Sequence, residues 1–344
     1  MTKILHELKK IFYFTTNFVL STKEDIDFAV GGQAVIEGVM MRSPNSVVIA
    51  VRKQDNSIKI HAKKHQSIIR KYKFLNIPIV RGVVGLIEMM AIGMTAINFS
   101  ANEAVEEEDE IKAKKESTVE EKRSTLTKIL EGGMFAFSIV LALSISVFMF
   151  KFIPLWLTTL LDGQFPYIHD NYIVFNFIDG VLKLSIFLAY IYILSLIPSF
   201  RRIFEYHGAE HKSIFTYEKH LDLNVQNAKP QSRFHPRCGT SFILIVFVLS
   251  ILVYTFVPKQ EIFWQNLGLR VAALPLIAGL AYEFLKFSAK YRESKWINPF
   301  VAPGLALQRI TTQDPTDSQL EIGLKSLKEA LAMDAGARPI AEPR

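Results

Sequence analysis

The chain has 344 residues, 50% of them apolar and 21% charged, with a formal net charge of +7 and a mean hydropathy of +0.22. The apolar residues are gathered into long uncharged runs, which excludes an ordinary cytosolic enzyme, and the small charged fraction excludes an intrinsically disordered chain. A single cysteine, Cys238, excludes a framework of intrachain disulfides. This composition predicts an α-helical integral membrane protein.

Residues 1–28 are predicted to form an amphipathic segment and not a cleaved signal peptide. Charged side chains are scattered through the first ten positions, and no small-residue cleavage site follows them. Apolar residues recur between positions 4 and 20 opposite Lys9 and Lys10, a pattern typical of a helix that lies on the inner leaflet of a membrane.

Residues 29–104 are predicted to be a small cytoplasmic domain with antiparallel β-structure, so that the whole chain is α+β. Three short runs rich in Val and Ile are separated by turn-forming clusters and lie at 35–42, 46–53 and 57–63. Gly31 and Gly32 precede them without a Gly-Lys-Ser/Thr phosphate motif. We expect these glycines to mark a turn and a bulge that let another backbone come close.

The first 81 residues hold 14 basic and 6 acidic side chains. Attraction to anionic lipids of the inner leaflet is the simpler explanation of this excess. Contact with a protein partner, RNA or a ribosome is the alternative, although no basic and aromatic RNA-binding motif supports it. Specific DNA binding is not expected, and the sequence leaves the oligomeric state open.

Two segments connect this domain to the first predicted span. Residues 82–99 are apolar but contain Glu88 and three glycines, so they predict a buried or interfacial helix, with a re-entrant segment as the alternative. Residues 105–131 are densely charged with mixed sign, which is typical of a solvated helix or a flexible linker.

Four segments meet the requirement of about 20 mostly apolar residues for a membrane-spanning helix. They form a membrane domain at 132–290 and lie at 134–161, 181–200, 241–257 and 269–287. Lys183 lies near the outer end of the second segment, where we expect its ammonium group to snorkel to the membrane surface.

The distribution of the 40 Lys and Arg residues predicts the orientation. Residues 1–133 hold 20 of them, the loop 201–240 holds 7 and residues 286–344 hold 9, whereas the loop 162–179 holds none. Because cationic loops stay in the cytoplasm, both termini and the loop 201–240 are predicted to face the cytoplasmic side of an inner (plasma) membrane.

Residues 291–344 are predicted to be a cytoplasmic C-terminal segment. The pairs at 298–299 and 302–303 place prolines where the chain is expected to break. A helical stripe of leucines then predicts a short amphipathic helix at 317–333.

Four of the eight histidines fall between positions 207 and 235. His207 and His211 are one helical turn apart with Glu210 beside them, in a His-x-x-Glu-His order that reverses the zincin motif. Two imidazoles at this spacing can share a tetrahedral metal ion, and the carboxylate can act as a general base toward water. His220 has no partner pattern and is predicted to lie on the surface.

His235 and Cys238 immediately precede the third predicted span, at the same membrane face as the first pair. Both residue types are ligands suited to zinc or iron. With one of them, His207 and His211 would form a three-ligand site with an open position, and with both the site would be closed and structural. The alternative to a metal site is that these side chains meet lipid headgroups.

Two acidic residues lie in apolar surroundings and need partners. Glu283 is predicted to pair with Lys286 at i+3, and the alternative is an additional ligand or acid/base role facing the histidines. Glu88 has the same two interpretations.

Several ordered motifs resemble the YqhQ-like family of bacterial membrane proteins. They are GGQAVIEGVMMRSP at 31–44, the run at 205–212, HPRCGTS at 235–241, YRESKW at 291–296 and APGLALQRITT at 302–312. This family is a domain of unknown function labelled as predicted metal-dependent enzymes. The resemblance therefore implies a multi-pass membrane protein and a divalent metal, without naming a substrate.

These patterns lead to two hypotheses. In the first, the protein is a metal-dependent, hydrolase-type membrane enzyme in which Glu210 is the general base. Its metal, zinc or alternatively iron, is bound by residues drawn from His207, His211, His235 and Cys238. In the second, it is a non-enzymatic membrane scaffold or membrane-biogenesis factor, and a structural metal or a hydrogen-bond network ties the loop.

Overall fold

A computed structural model describes residues 30–113, 125–255, 257, 260–291 and 297–336. The predicted amphipathic segment at 1–28 lies outside the described residues, as does the middle of the predicted linker at 105–131. Over the described residues the protein is mostly helical with one small antiparallel sheet.

The sheet has four strands that neighbour one another in chain order. They are β1 (Gly31–Val35), β2 (Gly38–Arg42), β3 (Ser46–Arg52) and β4 (Ile58–Lys64). The prediction of one continuous strand at 35–42 was wrong, because a tight turn at Glu37, with φ of 51°, separates β1 from β2. Arg202 forms an ion pair with the Glu37 carboxylate and so stabilises this turn. The apolar residues on both sides of Glu37 do not indicate a turn in the sequence.

The helices before the apolar bundle are α1 (Ile68–Lys71), a 3₁₀ turn (Lys73–Leu75) and the long α2 (Val80–Ala113). The bundle and its loops contain α3 (Thr125–Val147), a π-helical turn (Phe148–Phe152), α4 (Ile153–Asp162), α5 (Pro166–His169), α6 (Tyr172–Leu196), α7 (Pro198–Glu218), α8 (Val225–Ala228), α9 (Gly239–Thr255), α10 (Phe263–Ala272) and α11 (Leu274–Lys290). The C-terminal helices are α12 (Asn298–Thr311) and α13 (Asp317–Asp334).

Local chemistry explains several helix ends. Asn171 caps α6 by accepting hydrogen bonds from the backbone N–H groups of Ile173 and Val174. Pro198 has no N–H group, so α6 stops at Leu196 and α7 begins with the proline in its first turn. The predicted second span therefore starts and ends earlier than expected. A capping box made by Thr316 and Gln319 begins α13.

Among the described residues, four helices are long and apolar enough to cross a membrane. They lie at Val80–Ala104, Phe137–Asp162, Tyr172–Leu196 and Phe263–Ser288. The predicted third span corresponds to α9, an apolar helix that at 17 residues is shorter than these. The segment 82–99, predicted to be a buried or interfacial helix, belongs to one of these four by length and hydropathy.

The two faces of the sheet are covered by different helices. Val39, Met41 and Val48 form one core with Tyr206 of α7 and Ile322 of α13. On the opposite face, Met40, Ile49 and Val51 pack with Ala96 of α2. Successive side chains along a strand point to opposite faces of the sheet. The sheet therefore forms a central layer, with α7 and α13 on one side and α2 on the other.

The apolar bundle contains a buried network of charged and polar groups. Asp179 accepts hydrogen bonds from Lys183, at 3.0 Å, and from Arg270. The second guanidinium nitrogen of Arg270 donates to Asn176 Oδ1 at 2.6 Å. Lys183 therefore does not snorkel as predicted, because the helix starts at Tyr172 and leaves this side chain deep in the bundle.

A third cation joins the network through an aromatic side chain. The Lys151 ammonium donates to Tyr254 Oη at 3.1 Å, and that hydroxyl donates to the Arg270 carbonyl oxygen at 2.7 Å. All three cations lie near the Tyr254 ring: Lys151 is 5.1 Å from its centroid, and Lys183 and Arg270 are each 5.0 Å from it. The network thereby links the π-helical turn, α6, α9 and α10.

We expect Asp179→Asn to destabilise the bundle strongly. The change keeps the shape of the side chain but removes the carboxylate charge that neutralises Arg270 and Lys183, and unpairing a buried charge costs about 3 kcal/mol or more. The measurement is the thermal unfolding midpoint of detergent-purified protein. Asp170→Asn, at an exposed position of the adjoining loop, is the control. Equal midpoints for the two variants would contradict the neutralising role of Asp179.

Candidate metal centre

The candidate centre lies where α7, the loop before α9 and the end of α12 meet. Helix α7 contributes His207, Glu210 and His211, and the loop contributes Cys238. One ligand atom from each of His207, His211 and Cys238 lies within 4.8 Å of the other two. The structure therefore brings together three of the four predicted metal ligands.

Backbone carbonyl oxygens orient both imidazoles of the centre. His207 Nδ1 lies 2.8 Å from the Thr311 carbonyl oxygen, and His211 Nδ1 lies 2.5 Å from that of Arg233. Because a carbonyl only accepts, each Nδ1 bears the proton and each Nε2 keeps its lone pair for a ligand. A metal-binding histidine usually donates its other ring N–H to a carbonyl or carboxylate oxygen in this way.

Cys238 completes the donor set from the other side. Its Sγ lies 3.1 Å from His207 Nε2 and 3.1 Å from Thr240 Oγ1, and the side chain is buried. The residue immediately precedes α9, whose first residue is Gly239.

Glu210 is buried beside the three donors. Its Oε2 lies 3.9 Å from His207 Nε2, and its carboxylate accepts a hydrogen bond from the Gly32 backbone N–H. Burial raises the pKa of the Glu210 carboxyl, an effect that the neighbouring His207 and His235 oppose. The prediction that Gly31 and Gly32 mark a turn and a bulge was wrong, because both lie in the regularly paired strand β1. A Cβ atom at position 32 would lie 2.8 Å from Glu210 Cγ, so the missing side chain makes room for the Glu210 side chain.

Burial also lowers the pKa of His211, and the adjacent His207 acts in the same direction. The Cys238 side chain and the Arg233 carbonyl oppose this shift. A lowered pKa keeps the imidazole neutral near pH 7, which is the form that coordinates a metal ion.

His235 lies next to the centre but is turned away from the three donors. Its Nε2 is 3.5 Å from Glu218 Oε1, and its Nδ1 accepts a hydrogen bond from the Arg237 backbone N–H at 3.3 Å. Gln308 binds both the N–H and the carbonyl of His235, each at 2.7 Å. Because His235 is not among the converging donors, the geometry agrees with the three-ligand alternative. His235 contributes instead to the position of the loop before α9, through its contacts with Gln308.

The two additional acidic candidates lie elsewhere. Glu283 receives two hydrogen bonds from Arg81 of α2, one of them at 2.7 Å, which is a different partner from the predicted Lys286. Glu88 accepts from Ser67 Oγ at 2.8 Å and lies 2.6 Å from His65 Nε2. Both carboxylates therefore stabilise contacts of α2, away from the three donors.

Sequence reasoning assigned no role to the connection between α12 and α13, yet this connection shapes the centre. Thr311 orients His207, and the Thr312 carbonyl oxygen accepts from Arg233 at 2.6 Å. The connection approaches α7 at Gly208, where a Cβ atom would lie 2.0 Å from the Gln313 carbonyl oxygen. In the sequence, the run at 302–312 is recognisable only as a family motif. Its contacts with the centre are made by backbone atoms, and residue types do not indicate such contacts.

Comparison with known proteins gives this centre its context. Residues 77–333 match the family model described as "Protein of unknown function (DUF1385)". The chain belongs to this family. It is also 35% identical over 316 residues to "Uncharacterized protein YqhQ" of Bacillus subtilis (strain 168), covering 91% of this chain and 96% of that protein. No solved structure matches the chain. The DUF1385 match confirms the resemblance and includes every donor of the centre.

We expect detergent-purified DUF1385 protein to hold about one zinc or iron ion per chain, because two imidazoles and a thiolate form a typical donor set for these metals. His207→Ala/His211→Ala leaves one donor and Cys238→Ser leaves two, so both variants should lose the metal because too few donors remain for tight binding. The measurement is elemental mass spectrometry after chelator-free purification. His235→Gln is the control and should retain the metal. Loss in that variant at unchanged folding would favour four ligands over three.

Gly208→Ala should also lower the metal content, by pushing the segment with Thr311 away from α7. Overpacking of this kind costs about 1–3 kcal/mol. Gly268→Ala is a matched control in another helix, because no atom lies within 4 Å of the added Cβ. Metal content and unfolding midpoint should fall for the first variant alone, and equal values for both would remove the assigned role of Gly208.

Proposed function

We propose that this protein is a multi-pass enzyme of the bacterial inner membrane whose cytoplasmic-face centre holds a divalent metal, zinc or alternatively iron, for a hydrolase-type reaction. The observation that supports it most is the group of three converging donors from His207, His211 and Cys238. Both imidazoles are locked by backbone carbonyls in the tautomer that leaves a nitrogen available. Such preorganisation supports a binding site, because ligating histidines of metal centres are oriented by contacts of this kind.

The membrane location is supported by the long apolar helices and by the charge distribution. The described chain has four helices of spanning length. When α9 is counted as a span in place of α2, as in the sequence prediction, the segments rich in Lys and Arg all lie on one side. The loop at 201–240 that bears the donors is one of these basic segments, which favours a cytoplasmic centre.

The donor count favours a reactive centre over a closed one. Three protein ligands leave one position of a tetrahedral ion open. When bound there, the metal would act as a Lewis acid that polarises the group under attack. Glu210, whose Oε2 lies 3.9 Å from His207 Nε2, would accept a proton from the attacking water. Its buried carboxyl has a raised pKa, as expected of a group that must exchange a proton near neutral pH.

The scaffold hypothesis has its own supporting observation. The donors are buried, and Arg233, His235 and Gln308 bind the loop tightly to the end of α12. A metal in this position would strengthen an already ordered connection without any reaction. The two hypotheses differ in what they require of Glu210, because a structural site has no need of a general base.

We expect Glu210→Gln to keep the metal and abolish function. A glutamine preserves the size of the side chain but cannot accept the proton, and a general base contributes about 10²- to 10⁴-fold to a rate. The measurement combines metal content with complementation of a deletion strain and with a comparison of the cellular lipids and peptides of both strains.

Glu205→Gln is the matched control on the same helix, since Glu205 accepts a hydrogen bond from Gln319 at 2.9 Å and forms a 3.9 Å ion pair with the exposed Arg201, away from the three donors. This variant should complement fully. A Glu210→Gln protein that binds metal and also complements fully would end the catalytic proposal and leave the scaffold.

A further inference from the structure

Helix α2 has the composition of a membrane span but not the packing of one. Its side chains Ile92, Ala96 and Phe99 cover one face of the β-sheet. Farther along the same side of the helix, Glu103 pairs with Lys59 of β4 at 3.1 Å. A helix that is surrounded by lipid cannot at the same time cover a sheet with charged rims, because the sheet would have to enter the hydrocarbon.

The opposite side of α2 is apolar and uncovered by the rest of the described chain. Ile87 is 60% exposed and Met90 58%, and Met94 and Ile97 continue the same stripe at helical spacing. Glu88 is the one charged residue between Arg81 and Glu103, and it is buried on the sheet side. An uncharged stripe of this length on a helix that otherwise packs well indicates a further apolar contact.

The connector that leads into α2 has the composition of a membrane-surface segment. Phe74 is 70% exposed, and Tyr72 and Ile77 are exposed with it. Lys71 and Lys73 alternate with them, and the Lys71 ammonium lies 5.4 Å from the Tyr72 ring centroid. No acidic residue occurs between Asp55 and Glu88, whereas seven basic ones do. Aromatic rings with adjacent cations are typical of the boundary between acyl chains and anionic headgroups.

Contacts with a candidate span place this surface beside the membrane. Gly82 lies against Tyr282 and Gly279 of α11, and a Cβ atom at Gly279 would be 2.4 Å from Ile79 Cγ2. Arg81 pairs with Glu283 of the same helix. The beginning of α2 is therefore fastened to a helix that would itself be embedded, which keeps the apolar stripe next to the lipid.

We propose that α2 does not cross the membrane but lies flat on its cytoplasmic leaflet. The stripe formed by Ile87, Met90, Met94 and Ile97 would contact acyl chains, and the segment 71–77 would bind anionic headgroups. The sheet would then be separated from the lipid by one helix. This inference rests on the membrane insertion proposed above but not on the metal centre.

The test measures the depth of single labels in nanodiscs. A fluorophore is attached to Ile87→Cys and Ile97→Cys, and quenching is compared for nitroxide lipids labelled near the headgroup and near the chain end. Wild-type protein, whose only cysteine is buried, is the labelling blank. Leu188→Cys in α6 is the control for membrane insertion, and Lys328→Cys on the exposed side of α13 is the control for water.

A flat helix places both stripe labels at the same shallow depth, with headgroup quenching several-fold above that of the Lys328→Cys label. A spanning helix would separate them by about 15 Å in depth, since ten residues rise 1.5 Å each. That separation would overturn the proposal. Quenching of both labels by aqueous iodide alone would also overturn the proposal. So would protection of both labels from lipid quenchers and from iodide, because it would indicate that residues 1–28 or a second copy of the chain cover the stripe. If the Leu188→Cys label is not reached by lipid, membrane insertion itself has failed.

The anionic part of the proposal has a separate readout. A label at Phe74→Cys should be quenched more strongly in anionic than in zwitterionic nanodiscs, and Lys71→Gln/Lys73→Gln should remove that difference. Lys325→Gln/Lys328→Gln in α13 is the matched control and should leave it unchanged. Equal quenching in the two kinds of nanodisc would overturn headgroup binding, and protection by added RNA would assign the segment to a nucleic acid instead.

Discussion

The close approach of backbone to helix α7 is the constraint on which the candidate centre depends. At Gly208 the absence of a side chain lets the segment after α12 lie directly on α7, which brings the Thr311 carbonyl to His207. The same segment binds Arg233, whose own carbonyl orients His211. On the other side of the helix, Gly32 brings β1 within hydrogen-bonding distance of Glu210. Two glycines thus set the positions of both imidazoles and of the carboxylate, because only backbone without a Cβ can approach so closely.

A second constraint is that buried charge must be neutralised. In the bundle, Asp179 lies between Arg270 and Lys183, and between the bundle and the sheet domain Glu283 pairs with Arg81. Removal of one partner from such a pair is costly, so each pair also fixes which helices are neighbours. The first pair sets α6 against α10, and the second fastens α2 to α11. Charges that appear out of place along the chain therefore mark contacts between distant segments.

The layer order connects these two constraints. One face of the sheet packs on α13 and on α7, which carries His207, Glu210 and His211, while the other packs on α2, the helix proposed to lie on the lipid. In that arrangement the sheet would lie between the membrane surface and the centre. Its strand β1 contacts the centre directly, because the Gly32 backbone N–H donates to Glu210. A substrate at the inner leaflet would meet the centre and the basic connector on the same side of the membrane.

Local patterns in the sequence determined much of this architecture. Long apolar runs predicted the bundle helices, and the spacing of His207 and His211 placed both imidazoles on one helical face. Short runs rich in Val and Ile predicted strands β2, β3 and β4, but not β1. Each of these depends on neighbours within a few positions, which the sequence displays directly. Tertiary structure alone decided that Cys238 and not His235 faces the other donors, and that Glu283 receives hydrogen bonds from Arg81. It also decided that α2, with the composition of a span, covers a sheet. These outcomes depend on which backbone and side-chain groups from distant parts of the chain come into contact. The periodicity of residue types along the sequence does not show such contacts.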